Sequence, residues 1–143
     1  MYHYKSCGLD NVFLKNGFVI KQTPYGQAVA IEDVEGLHLA IASDLLRQKT
    51  PLTGAQFRFL RKEQDLTQAE MAAILGVSEQ TVAAWEKLKS GHVQRLADIA
   101  MRAYYLAHRQ ALQPRQIFPE AQDGEPAAAE FSHEDDGWMP RAA

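Results

Sequence analysis

Residues 66–87 read LTQAEMAAILGVSEQTVAAWEK. Thr67 and Glu70 have the spacing of a capping box, which places a helix start at Thr67. Leu66 and Met71 sit where a hydrophobic staple would hold the entry angle. Met71, Ala72, Ile74 and Leu75 supply an apolar face, and Gly76 follows at once. A residue without a side chain takes the left-handed conformation that ends a helix. Ser78 is a good N-cap for a second helix, with Val77 and Val82 repeating the staple spacing. Val82 and Trp85 fall three apart on one face, Trp85 reading as a core residue. Glu79, Gln80, Ala83, Ala84 and Lys87 are left facing outward. Residues 66–87 therefore predict two short amphipathic helices joined at a glycine.

Working outward, residues 53–56 form another capping box, Thr53 with Gln56, and Leu52 with Phe57 makes another staple. This helix should run to about Gln64, with Phe57 and Leu60 toward the core and Arg58, Arg61 and Lys62 on a basic side. A last long helix is expected from about 90–93 to about Ala111, with Leu96, Ile99, Ala103 and Leu106 as its buried stripe. Tyr104 and Tyr105 exceed what one stripe needs and could pack on the N-terminal part or on a second copy.

These residues resemble the helix-turn-helix of the Cro/C1-type (XRE) family of DNA-binding regulators. With Gln68 as the first motif residue, the small residue wanted fifth is Ala72, and the turn glycine is Gly76. Met71, Leu75, Val77, Val82 and Trp85 meet the apolar positions, and Trp85-Glu86 closes the motif. The resemblance spans residues 53 to about 107. It implies a lambda-repressor-like helical domain whose second motif helix, Glu79 to Lys87, enters the major groove. It also implies that Glu79, Gln80, Ala83 and Ala84 occupy base-reading positions. A glutamine amide matches adenine N7 and N6, a carboxylate can accept from cytosine N4, and alanines allow close approach to a thymine methyl. Gln68, Thr81, Lys87 and Lys89 are candidate phosphate contacts, which position the protein without reading sequence. One departure stands out. The family often has glycine soon after the Trp-Glu pair, and Leu88 stands here. The recognition helix should therefore run slightly further, with Gly91 making the turn.

Upstream, Val12-Phe13-Leu14 and Phe18-Val19-Ile20 flank Asn16-Gly17, a strong hairpin signal. Thr23-Pro24-Tyr25-Gly26 is a second turn, and Ala28 to Ile31 reads as a third strand. A small antiparallel sheet is expected over residues 11–32. So few strands are marginal alone, and the next helix, with Leu37, Ile41 and Leu45 four apart beside Leu39, Ala42 and Leu46, should cover them. Pro51 pushes Thr50 out of the helical region and ends that helix. The expected organisation is an N-terminal hairpin-and-helix module (1–49), a helix-turn-helix domain (50–113) and an acidic tail (114–143), read as mostly disordered from 119 onward. The fold class is α+β, mainly α.

Charge follows the same division. The 143 residues carry a formal charge of −3. Seven acids and two bases lie beyond residue 113, so the tail holds the negative balance and the body is weakly basic. The acidic total does not argue against a DNA-binding surface. Residues 1–49 are electrically balanced and have no electrostatic reason to sit on DNA. The apolar fraction of 46% suffices for a core. No apolar run approaches the about 18 residues of a membrane span, and the N-terminus offers no signal-peptide core. One cysteine leaves no internal disulfide and fits a reducing cytoplasm.

The N-terminal region also resembles antitoxins of the MqsA kind, which place a small β-containing module before a Cro/C1-type domain. Their module binds zinc through paired cysteines. Here only Cys7 is present, and His3 with Cys7 falls short of a four-ligand structural site, so no metal and no cofactor are expected. The five histidines are scattered. No phosphate loop, His-Glu-x-x-His or nucleophile elbow is present, so no enzyme is expected. The expected function is a sequence-specific transcription regulator in the cytoplasm, a repressor binding double-stranded DNA as a homodimer. The alternative is an antitoxin, with residues 1–49 holding a toxin and the helix-turn-helix autoregulating.

Overall fold

The fold is described from a computed structural model that covers residues 1–110, 118 and 121–140. Strand β1 (Tyr2–His3) pairs antiparallel with β2 (Phe13–Leu14), and β3 (Phe18–Thr23) pairs separately with β4 (Gly26–Ile31). Helices α1 (Val34–Arg47), α2 (Gly54–Glu63), α3 (Gln68–Leu75), α4 (Glu79–Lys87) and α5 (Arg95–Arg109) follow, and β5 (Phe131–Glu134) pairs with β6 (Gly137–Pro140). The chain is α+β and mainly helical.

One buried cluster runs through the body. Tyr4, Leu9 and Leu14 join Ile41, Ala42 and Leu45 of α1, and these continue into Leu52, Phe57, Phe59 and Leu60. Met71, Val82, Met101 and Tyr105 of the later helices complete it, with Val93 from the segment between α4 and α5. Leu52, Phe57, Leu60, Met71, Val82 and Met101 are fully buried.

The helix starts obey the local chemistry. Both expected capping boxes are formed, Thr53 with Gln56 and Thr67 with Glu70, and Gly76 ends α3 at φ 70°. The strands depart from expectation. The three-stranded sheet over 11–32 is instead two separate pairs. Tyr2 and His3 supply the partner for Phe13-Leu14, with His3 stacked on Phe13 at 4.4 Å and Tyr2 against Phe18 at 5.3 Å. Asn16-Gly17 lies between β2 and β3, but the two strands do not pair across it. The Gly17 carbonyl accepts from the Glu32 N–H at 2.9 Å, closing the base of the β3–β4 hairpin. The hairpin turns at Pro24-Tyr25, with Thr23 opposite Gly26.

Nor does α1 cover that hairpin. Phe18 and Ile31 at its base pack on the core, while Val19 and Ile20 are each 49% exposed and Tyr25 is fully exposed. Ile41, Ala42 and Leu45 bury the expected face of α1, but Leu39 is exposed.

The largest correction concerns α5. Leu96, Ile99, Ala103 and Leu106, expected inside, are exposed, and the buried face is Ala97, Asp98, Met101, Tyr104, Tyr105 and Ala107. The helix carries two apolar stripes, and the core takes the one with the tyrosines. In the tail, residues 131–140 form a hairpin where no element was expected. Glu134 faces Gly137 across Asp135-Asp136, Gly137 adopts φ 104°, and His133 meets Trp138 edge-on at 5.2 Å. Residues 121–130 hold no regular element, and apart from Phe118 the rest of the tail, with the expected end of the last helix at Ala111, lies outside the described residues.

Candidate nucleic-acid interface

The geometry starts from Ser78. Its hydroxyl accepts from the Thr81 N–H at 3.1 Å, which caps α4 and fixes where the helix begins. Glu79, Gln80 and Ala84 are exposed, and Ala83 is half-buried. The four sequence-predicted base readers thus occur within the first two turns of α4, with three of them open to solvent. The side of α4 facing the core is set by Val82, fully buried, and by Trp85, which meets Phe57 edge-on at 5.6 Å.

A buried ion pair holds α4 in place. Arg61 donates to both carboxylate oxygens of Glu86, Nε to Oε2 at 2.7 Å and Nη2 to Oε1 at 2.8 Å. Its Nη1 donates to the Leu66 carbonyl at 2.7 Å, at the entry to α3. One guanidinium therefore ties α2, the corner before α3, and α4. Arg61 belongs to the basic side expected of α2, yet its side chain is only 8% exposed. A bidentate pair with further hydrogen bonds is the arrangement that makes a buried charge tolerable.

Gly54 adds a second constraint. It begins α2 against the end of α4, where a Cβ would lie 2.3 Å from the Trp85 carbonyl oxygen. Only glycine permits that approach. The Gly54 N–H donates to the Gly91 carbonyl and the Ala55 N–H to the Lys89 carbonyl, at 2.9 and 3.0 Å.

The expected phosphate contacts divide. Gln68 is half-buried, and its amide donates to Glu86 Oε1 at 3.2 Å, which joins it to the Arg61 lock. The Thr81 hydroxyl shares a 2.8 Å hydrogen bond with Ser78. Lys87 and Lys89 are exposed and lie beside Arg58 and Lys62 along one cleft. The turn after α4 also differs from expectation. The helix ends at Lys87, Leu88 keeps a right-handed conformation, and the left-handed residue is Lys89 at φ 54°, not Gly91.

Residues 57–91 match the family model described as helix-turn-helix. The chain carries a Cro/C1-type helix-turn-helix. The matched segment begins inside α2 and ends after α4, so it includes Arg61, both motif helices and Glu86. The Cro/C1-type motif is that of DNA-binding transcription regulators. No curated protein and no solved structure matches the chain. Among the described residues, no helix is long and apolar enough to cross a membrane.

The N-terminal region meets this motif through polar contacts that sequence reading missed. Tyr4 Oη and His38 Nε2 are 2.8 Å apart, and His38 Nδ1 is 2.7 Å from Glu63 Oε1. Burial pushes the Tyr4 hydroxyl above its usual value of 10, with Cys7, Glu63 and Tyr2 raising it further, so it stays a donor. A His38 tautomer that accepts from Tyr4 and donates to Glu63 satisfies the whole chain. Asp98, fully buried, accepts from the Leu52 N–H at 2.8 Å and from Arg102 Nε at 2.8 Å, and Arg95 also donates to it. Arg102 in turn donates to the carbonyls of Leu46, Gln48 and Thr50. His3 and Cys7 are otherwise engaged: His3 Nε2 meets the Asp10 carbonyl at 2.6 Å, and the Cys7 thiol points to the Tyr4 carbonyl.

Proposed function

We propose that the chain is a sequence-specific repressor that binds a two-fold operator as a homodimer, with residues 50–113 on DNA. The observation that carries the reading is the open N-terminal part of α4, where Glu79, Gln80 and Ala84 are exposed. A helix so presented fits a major groove about 12 Å wide, N-terminal residues nearest the base edges. Ala83 completes the reading face. Gln68, Thr81, Lys87 and Lys89 serve the phosphates, Gln68 and Thr81 as positioned groups and the two lysines as charges. Repression follows from occupancy, the bound dimer excluding polymerase. Such a regulator works in the cytoplasm, where its one cysteine stays reduced.

The stripe on α5 supports the homodimer. Leu96 is 77% exposed, Ile99 47% and Leu106 44%. With Ala103 they repeat at steps of three, four and three, the heptad spacing by which two helices pair. The small Ala103 in mid-stripe allows close approach, and no charge interrupts it.

Selection of bound duplexes from a random DNA pool at physiological salt tests this reading. It should enrich an inverted repeat with half-site centres about 34 Å apart, or a multiple. Enrichment of nothing by folded protein overturns it.

The second reading, an antitoxin whose residues 1–49 hold a toxin, draws on the β3–β4 hairpin. Val19 and Ile20 are exposed on its two faces and Tyr25 at its turn, apolar surface that a protein partner could grip. Co-expression with a small toxin-like neighbouring gene product separates the two: a stable complex that spares growth favours the antitoxin, and two independent proteins favour the plain regulator.

A further inference from the structure

Between the N-terminal loop at residues 6–11 and the junction of α2 with α4 lies a cleft of about 810 Å³. This is within the ~300–1,000 Å³ typical of small-molecule sites. Leu9 and Phe59 belong to its lining and are buried. Arg58, Lys62, Lys87 and Lys89 also line it, all exposed.

Two of the three carboxylates of the lining are already engaged. Glu63 is taken by His38 at 2.7 Å, and Glu86 by Arg61 through two hydrogen bonds. Arg58 Nε stays 3.8 Å from Glu86, with its side chain 52% exposed. Among the described residues, Lys62, Lys87 and Lys89 have no ion-pair partner, and Asp10 is the one lining carboxylate likewise left over.

We propose that this cleft binds a small anionic molecule bearing phosphate or carboxylate groups. The four cations hold its charge, over a floor closed by Leu9 and Phe59. Arg58 presents a planar fork suited to either anion, and the lysines act as point charges. The cleft shares Lys87 and Lys89 with the proposed phosphate surface, so a bound anion takes up charge that DNA would use. The ligand is therefore an effector that weakens DNA binding. That last step rests on the regulator reading, whereas the binding itself does not.

Calorimetric titration of the full chain with pyrophosphate and with citrate, at ionic strength matched by sodium chloride, tests the site and separates the two anion chemistries. Saturable binding of at least one of them, tighter than about 1 mM, is expected. The double variant Arg58→Ala/Lys62→Ala should weaken it about tenfold or more, while Lys49→Ala, outside the cleft, and Gln80→Ala leave it unchanged. Comparable melting curves show that the variants are folded. No saturable heat with either anion overturns the proposal, as does equal weakening by Lys49→Ala. If the double variant loses DNA affinity and neither anion binds, the cleft belongs to the DNA backbone instead. Anion binding that persists while duplex selection fails leaves the site standing and removes the regulator.

Discussion

Arg61 and Glu86 set the pose of α4, the helix proposed to read DNA. Removing one partner of a buried ion pair strands the other, at a cost of about 3–5 kcal/mol. Arg61→Leu should lose stability on that scale in urea titration. Arg61→Leu/Glu86→Met should recover most of it, because replacing both charges with apolar groups avoids the stranded carboxylate. A double variant as unstable as the single one would deny the pair this role. Lys89 tells a different story at φ 54°. A left-handed L-residue is strained by about 1–2 kcal/mol, part of which glycine gives back in chain entropy. Lys89→Gly should therefore raise the melting temperature while lowering affinity for any duplex, specific or not. A drop in melting temperature would contradict the backbone account. The Glu86 position was legible in sequence as the close of the motif. Its partner was not, because Arg61 sits in a run with Arg58 and Lys62 that reads as a plain basic side.

Among the elements, α2, α3 and α4 were legible because their caps are local. Thr53, Thr67, Ser78 and Gly76 act within four residues of themselves. The β-strands were less so. An Asn-Gly step fixes a turn but not what the strands beside it pair with, and Phe13-Leu14 found Tyr2 and His3 across ten intervening residues or so. Helix α5 misled for a third reason. Periodicity reveals that a stripe is apolar, not whether the chain's own core or another molecule covers it. Leu96→Lys/Leu106→Lys should convert a dimer to a monomer in sedimentation, with the helical circular dichroism signal kept at the same concentration. A monomeric wild type, or a variant that remains dimeric, removes α5 as the interface.

Across the whole molecule, the N-terminal residues share a core with the helix-turn-helix and are joined to it at two polar seams. The Tyr4–His38–Glu63 chain links positions 34 and 25 residues apart, and Asp98 with Arg102 anchors the segment between α1 and α2. No sequence pattern announces such contacts, since each residue alone is an ordinary polar one. His38→Ala leaves Tyr4 and Glu63 without their shared partner and should cost about 1–3 kcal/mol. It should lower one unfolding transition common to both regions, seen by denaturant titration with probes in each. Two separate transitions in the wild type would mean that the regions fold independently. The central claim is that α4 reads base edges, twice over, from the two protomers of a dimer. Parallel duplex selections with the wild type and with Gln80→Ala test it most directly. The account predicts an inverted repeat for the wild type, and for the variant the same repeat with relaxed preference at one base pair in each half-site, with a loss of about 1–3 kcal/mol per reader on the original site. Identical selected sequences from both proteins, or an equal loss of affinity on random DNA, would contradict it.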